Sequence, residues 1–200
     1  LLVHRPGQMA FLPPGLDGSR SFLVVGGRNN CVQRHTTDLL LGLRVDMIGD
    51  KELRGPSGLA VCRGQVIVGD SDFGTIRLLV FNLSDGELDR AIPTPPGMLS
   101  PSGMCVTLDG ATLLVADDMA HTVFVIPLDA NDTTAVRTVG CFGTGDSQFE
   151  RPVHLAMTPT GELVVADHTH SCIQLIDLQA GHTIRKIDVE YFVNGVAVDS

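Results

Sequence analysis

Apolar residues in this chain come in short runs that end on a small residue and give way to a polar turn: Leu23-Val-Val-Gly26, Val66-Ile-Val-Gly69, Leu113-Leu-Val-Ala116 and Leu163-Val-Val-Ala166. Runs this short, rich in β-branched residues and bounded by Gly, Asp and Asn, have the length of strands and not of helices. Further apolar runs follow at Ile76 to Phe81, Val123 to Ile126 and Ile173 to Ile176, with Gly110 and Thr160-Gly161 in the turns ahead of the second strands. More polar candidates, Val136-Arg-Thr-Val139 and Thr183-Ile-Arg-Lys-Ile187, suit outer edges that must resist pairing with other chains. No long amphipathic pattern of helical period stands out.

Ahead of each run lies a recurring hexamer: Pro6-Gly-Gln-Met-Ala-Phe, Pro56-Ser-Gly-Leu-Ala-Val, Pro101-Ser-Gly-Met-Cys-Val, Pro152-Val-His-Leu-Ala-Met and Val193-Asn-Gly-Val-Ala-Val. The interval between copies runs from 41 to 51 residues. A strand-filled repeat of this size is the signature of a propeller, whose blades are sheets of four strands. The fourth hexamer position is always apolar (Met9, Leu59, Met104, Leu155, Val196) and the fifth always small (Ala10, Ala60, Cys105, Ala156, Ala197). An innermost strand demands this, because side chains converging on an axis at native packing density leave no room for bulk. The predicted fold is therefore all-β: an incomplete propeller ring of four antiparallel, four-stranded blades plus the first strand of a fifth. The repeats fall at about 6–50, 56–92, 101–139 and 152–187, with a partial one at 193–200, in a single segment over 1–200. An open blade face of several hundred Å² would leave on the order of 10 kcal/mol of burial unrealised. The 200 residues are thus expected to be a fragment that self-associates when isolated.

The segment Gly143-Thr-Gly-Asp-Ser-Gln-Phe149-Glu-Arg-Pro152-Val-His-Leu-Ala-Met, continuing through Leu163-Val-Val-Ala-Asp167-His-Thr-His170 to Asp177, resembles an NHL repeat, the family named for an Asn-His-Leu-like motif. The second and third repeats resemble it well; the first is degenerate, with Gly27 in place of the aspartate. The resemblance implies a six-bladed type of propeller, often a recognition module of larger assemblies such as ubiquitin ligases; no RING-like cysteine and histidine spacing occurs here. Two enzymatic relatives share the repeat. NHL-like peptidyl amidating lyases hold zinc through a histidine directly after the motif proline, where this chain has Val153, with His154 one residue late. In gluconolactonase and senescence-marker propellers a divalent ion is held by acidic and amide side chains ahead of inner strands. Asn194-Gly195 looks like one such position, but the equivalents are Ser57, Ser102 and Val153, and Arg54 stands where a glutamate would precede Gly55-Pro56.

Charge and cysteine usage narrow the field. A formal charge of −9, from 14 Lys+Arg against 23 Asp+Glu, is the wrong sign for binding phosphates, so nucleic acid is disfavoured. No apolar run approaches the length of a membrane helix; the longest, Leu39 to Val45, is broken by Gly42 and Arg44. Cys31, Cys62, Cys105, Cys141 and Cys172 form no C-x-x-C pair and read as small buried hydrophobes, which favours a cytoplasmic setting. The sequons Asn82-Leu83-Ser84 and Asn131-Asp132-Thr133 pull the other way, and the compartment stays open.

In a propeller, the loops leading into inner strands and those joining second to third strands open on one face. That face collects Ser57, Ser102, Val153, His154 and Asn194 from the first set, and Asp70, Ser71, Asp72, Asp117, Asp118, His121, Asp167, His168 and His170 from the second. The aspartates ending second strands recur, which suits acceptors for turn amides. His154, His168 and His170, with Asp167 beside them or with Asn194, are weak candidates for a metal; no catalytic residue and no cofactor is assigned. Gly140-Cys-Phe-Gly143-Thr-Gly145 imitates a phosphate loop but no helix follows it. Pro93-Thr-Pro95-Pro96 reads as an extended connector. The expected role is a non-catalytic scaffold for a protein or peptide partner, with a gluconolactonase-like or amidating-lyase-like enzyme as the alternative and RNA binding third, the last needing Arg28, Arg77 and Arg151 to outweigh the acidic face.

Overall fold

Alternating apolar positions on successive short strands can be buried only by stacking sheets face to face, and the computed structural model shows that arrangement, with strands and no helix among the described residues. The structure describes residues 6–14, 19–26, 30–38, 42–129 and 134–198. Gly27, Arg28, the sequon at Asn131 to Thr133, Asp199 and the first three residues of the Leu39 to Val45 run lie outside them. Contacts divide the chain into two compact units, Leu1–Ile92 and Pro93–Ser200.

The first unit holds two antiparallel meanders, each hydrogen-bonded in chain order: β1 (Pro6–Phe11), β2 (Arg20–Gly26), β3 (Cys31–Asp38) and β4 (Gly42–Ile48), then β5 (Pro56–Cys62), β6 (Gln65–Asp72), β7 (Thr75–Asn82) and β8 (Leu88–Ile92). Between them lies a core of Leu23, Val25, Val32, Ile48, Leu59, Val66, Val68, Leu79 and Phe81. The hairpins β5–β6 and β6–β7 turn through two residues each, Arg63-Gly64 and Phe73-Gly74, all at positive φ, the geometry whose twist matches the flanking strands. Strands β3 and β4 carry little apolar signal; β3 is made a strand by pairing with β2, and β4 by pairing with β3.

The second unit repeats the plan with β9 (Pro101–Val106), β10 (Thr112–Asp117), β11 (Thr122–Pro127) and β12 (Arg137–Val139), a small parallel pair β13 (Cys141–Phe142) and β14 (Gln148–Phe149), then β15 (Pro152–Met157), β16 (Leu163–Asp167), β17 (Cys172–Asp177) and β18 (His182–Asp188). Its core joins Leu114, Ala116, Val123, Val125 and Val139 to Phe149, Leu155, Leu163, Val165 and Ile176. The glycine-rich segment is the loop around the parallel pair. Its amides are used internally, Gly143 N–H donating to Phe149 O (3.3 Å) and Gly145 N–H to Gln148 Oε1 (2.9 Å).

The hexamers are the inner strands, and their spelling follows from two features. In all four sheets the register slips just after the motif proline, which has no N–H to give to the ladder. The third hexamer position then faces the next inner strand within its unit. At Gly103 an added Cβ would fall on the His154 backbone and stand 2.6 Å from Val153 O, so glycine is required there. Where the position has a side chain, that side chain accepts from the fourth residue of a later hexamer: Gln8 Oε1 from Leu59 N–H (3.0 Å), His154 Nδ1 from Val196 N–H (3.4 Å). Residues 193–198, the sequence's fifth inner strand, lie against β15 through that bond and are not paired into a ladder.

All five cysteines are free. Cys31 and Cys172 are buried and Cys62 and Cys105 half-buried, but Cys141 is exposed, against the expectation of a buried thiol, because the two-residue strand β13 has no sheet covering it. Burial pushes the Cys105 thiol up to about 12, so it is inert.

Candidate functional site

The three recurring aspartates, Asp117 and Asp167 at the ends of their second strands and Asp70 two residues before the end of its own, are fully buried and reach back across the hairpin to the two amides ahead of the motif proline. Asp70 Oδ1 accepts from Arg54 N–H and Gly55 N–H (both 2.8 Å), and Oδ2 takes the Arg77 guanidinium. Asp117 Oδ2 accepts from Leu99 N–H (2.6 Å) and Ser100 N–H (2.9 Å), while Oδ1 accepts from Met119 (3.1 Å) and Ala120 (2.8 Å). Asp167 accepts from Glu150 N–H (2.9 Å) and Arg151 N–H (3.0 Å), and its Oδ2 faces His170 Nδ1 at 2.8 Å. A short acceptor at this point therefore locks the loop before each inner strand to the turn after each second strand. Each buried charge is compensated differently: by a guanidinium, by four amides, or by amides and an imidazole.

The serines face inward too. Ser57 Oγ donates to Gly69 O (3.3 Å); Ser102 Oγ donates to Ala116 O and Pro152 O (both 3.0 Å), tying β9 to β15. Asn194 is exposed, and Asp72 ends β6 at the Phe73-Gly74 turn.

In the second unit the histidines form one rim around Glu150 and Arg151. His121 Nδ1 faces the Glu150 carbonyl, and its ring meets Phe142 edge-on at 4.9 Å. His168 Nδ1 faces Val193 O at 3.2 Å, and its ring stacks on Phe192 at 4.8 Å. His170, besides Asp167, has Nε2 3.5 Å from Glu150 Oε2. A carbonyl oxygen only accepts, so Nδ1 of His121 and of His168 carries a proton. His154 is different: its Nδ1 accepts the Val196 amide, and burial lowers its pKa, which keeps that acceptor neutral. Arg151 bonds Asp118 Oδ2 at 3.2 Å, while Asp118 Oδ1 is shielded and has no donor. Glu150, Phe142 and Phe192 escaped the reading of the sequence; the position directly ahead of the motif proline, shared by Arg54-Gly55, Leu99-Ser100 and Glu150-Arg151, was the available signal.

A hard divalent ion needs several converging oxygens. Ser57 and Ser102 spend their hydroxyls on carbonyls, Val153 offers no ligand atom and Arg54 is a cation, so the residues present do not fit the ion that the gluconolactonase resemblance implies. Among the described residues no group of three or more His, Cys, Asp or Glu side chains, His154, His168 and His170 included, is arranged to hold a metal.

Separate four-stranded meanders with small-residue inner strands, four of them among the described residues, define a β-propeller fold. The sequence matches the SMP-30/Gluconolactonase/LRE-like region over residues 48–194, and the chain belongs to that family. The NHL likeness is thus a likeness among propeller repeats. None of the curated proteins matches. Among solved structures, luciferin-regenerating enzyme superposes with a TM-score of 0.70 at 15% identity, covering 96% of this chain and 66% of that one. Hydrazine synthase of Kuenenia stuttgartiensis gives 0.64 at 18% identity, covering 88% and 47%. A protein of unknown function from Desulfotomaculum acetoxidans DSM 771 gives 0.67 at 15% identity, covering 99% and 61%. The chain spans about half to two thirds of these proteins' lengths, and at such identities the likeness is one of fold. No helix among the described residues is long and apolar enough to cross a membrane.

Proposed function

We propose that this chain is a non-catalytic propeller segment of its family that serves as a scaffold for a protein or peptide partner, one propeller region over 1–200 with NHL-like repeats. The observation carrying this reading is the direction of the polar groups where a propeller enzyme would gather its ligands. Asp70, Asp117 and Asp167 accept from backbone amides, and Ser57 and Ser102 donate to backbone carbonyls. Groups committed to their own backbone build a frame; they do not turn toward a substrate. The loops this frame holds carry exposed Leu99, Met119, Phe142 and Phe192, apolar side chains of the kind that mark recognition surfaces. The aspartates on the same loops oppose RNA phosphates.

Family membership and exposed Asn194 favour a second reading, a metal-dependent lactone hydrolase of gluconolactonase type. Metal analysis of the purified chain, with a lactone-hydrolysis assay in added calcium, zinc or manganese, separates the two. The scaffold reading expects neither stoichiometric metal nor turnover. A stoichiometric ion lost in Asn194→Ala or His154→Ala, together with hydrolysis, overturns it.

A further inference from the structure

The rim of the second unit has an imbalance that its own fold leaves uncorrected, and from it we infer that the partner presents a basic segment, a lysine or arginine docked among Asp118, Glu150 and the Phe142 and Phe192 rings. The inference rests on the scaffold reading and names the chemistry of the partner at that site. Four carboxylates, Asp117, Asp118, Glu150 and Asp167, meet one guanidinium, Arg151, on loops joined by direct hydrogen bonds. The two buried ones are saturated by amides and His170, so the field that reaches solvent comes from Asp118 and Glu150. Asp118, 18% exposed, is compensated on one oxygen only, by an Arg151 side chain 48% exposed that can swing into solvent at little cost and leave Oδ2 to another cation. The Glu150 side chain is 41% exposed with one imidazole contact at 3.5 Å. The rim therefore carries more carboxylates than cationic side chains.

Its apolar part has a matching shape. Phe142 and Phe192, 64% and 65% exposed, are each held in place by a histidine ring. A fixed, exposed aromatic face beside carboxylates takes a cationic head on the ring and its methylene stem along the edge, which an acidic or neutral segment cannot do. A net charge of −9 steers a basic partner toward the chain at long range.

The test uses the whole chain and labelled peptides followed by fluorescence anisotropy: one alternating arginine with alanine, its glutamate counterpart, and a single-stranded RNA. The basic peptide is expected to bind, with affinity falling as salt rises, and the other two are not. Glu150→Gln and Asp118→Asn are each expected to weaken it about five- to tenfold, Phe192→Ala about threefold or more, with the melting profile of Glu150→Gln unchanged because its side chain is at the surface. Glu150→Lys is expected to shift the preference toward the acidic peptide. Equal binding of basic and acidic peptides, or binding indifferent to Glu150→Gln and Glu150→Lys, overturns the basic-partner inference while leaving a scaffold. Binding of neither peptide overturns both.

Discussion

Replacing Asp117 by alanine removes the acceptor of four N–H groups at once, those of Leu99, Ser100, Met119 and Ala120, at 2.6 to 3.1 Å from its oxygens. The carboxylate is fully buried and has no cationic side chain, so the amides alone offset its burial. A hydrogen bond to a charged group contributes about 1.5–3 kcal/mol, and a buried donor left unpaired costs about 1–3 kcal/mol. Leu99 and Met119 are exposed, so water reaches their amides in the variant, and relief of carboxylate desolvation offsets part of the rest. The net expectation is a loss of about 3–4 kcal/mol, a large share of the ~5–15 kcal/mol that holds a domain together. With a urea slope of about 2 kcal/mol/M, the midpoint followed by far-ultraviolet circular dichroism falls by about 1.5–2 M. Asp117→Asn retains one carbonyl for two amides but turns an NH₂ toward the other two, so it is expected to recover less than half of the loss. Hydrogen exchange at the Ser100 amide should accelerate in step. A loss under about 1 kcal/mol, or a full loss with Ser100 exchange unchanged, refutes the view that this aspartate locks the two loops together.

Arg77→Met strips buried Asp70 of its guanidinium while leaving the two amides, and is expected to cost about 2–3 kcal/mol in the same urea assay, less than a fully buried pair because Arg77 is about one-third exposed. Gly103→Ala drives a Cβ into the His154 backbone, which cannot swing aside, and should cost about 2–3 kcal/mol, whereas Gly195→Ala, with nothing within 4 Å, should stay within about 0.5 kcal/mol. His154 has its folded-state pKa below the ordinary imidazole value, so the unfolded chain takes up its proton first as pH falls. Its contribution is complete above about pH 6.5 and is lost as the pH drops from there toward the folded value; protection of the Val196 amide should decline over that range, and His154→Gln, copying Gln8, should hold the bond and abolish the decline.

The inner strands were legible because radial crowding leaves one spelling, proline then a small residue then apolar-small. Second strands were legible because both of their faces are covered. Strands β3 and β4 were not: Cys31-Val-Gln-Arg-His-Thr-Thr is polar, with Gln33 buried and bonded to His35, and its strand state comes from pairing with β2. The parallel pair β13–β14 had no pattern, since two residues against two cannot show one. The glycine-rich segment was excluded as a phosphate loop by the missing helix, but where its amides go, into the internal bonds of Gly143 and Gly145, only packing decides.

By itself the order of residues determined the blade plan, the positions of the three aspartates and the places where glycine must stand, because each depends on local spacing and on steric limits that any copy of the repeat meets. Which groups remain free was decided by the tertiary structure alone. The hydroxyls of Ser57 and Ser102 turn to backbone carbonyls, His154 becomes an acceptor for a neighbouring strand, and Glu150 is left facing out, with Asp118 half-paired behind Arg151 and two exposed aromatic rings on the same rim. Hydrogen-bond partners many residues apart are chosen by packing, and a side chain is available to a ligand only after packing has taken what it needs.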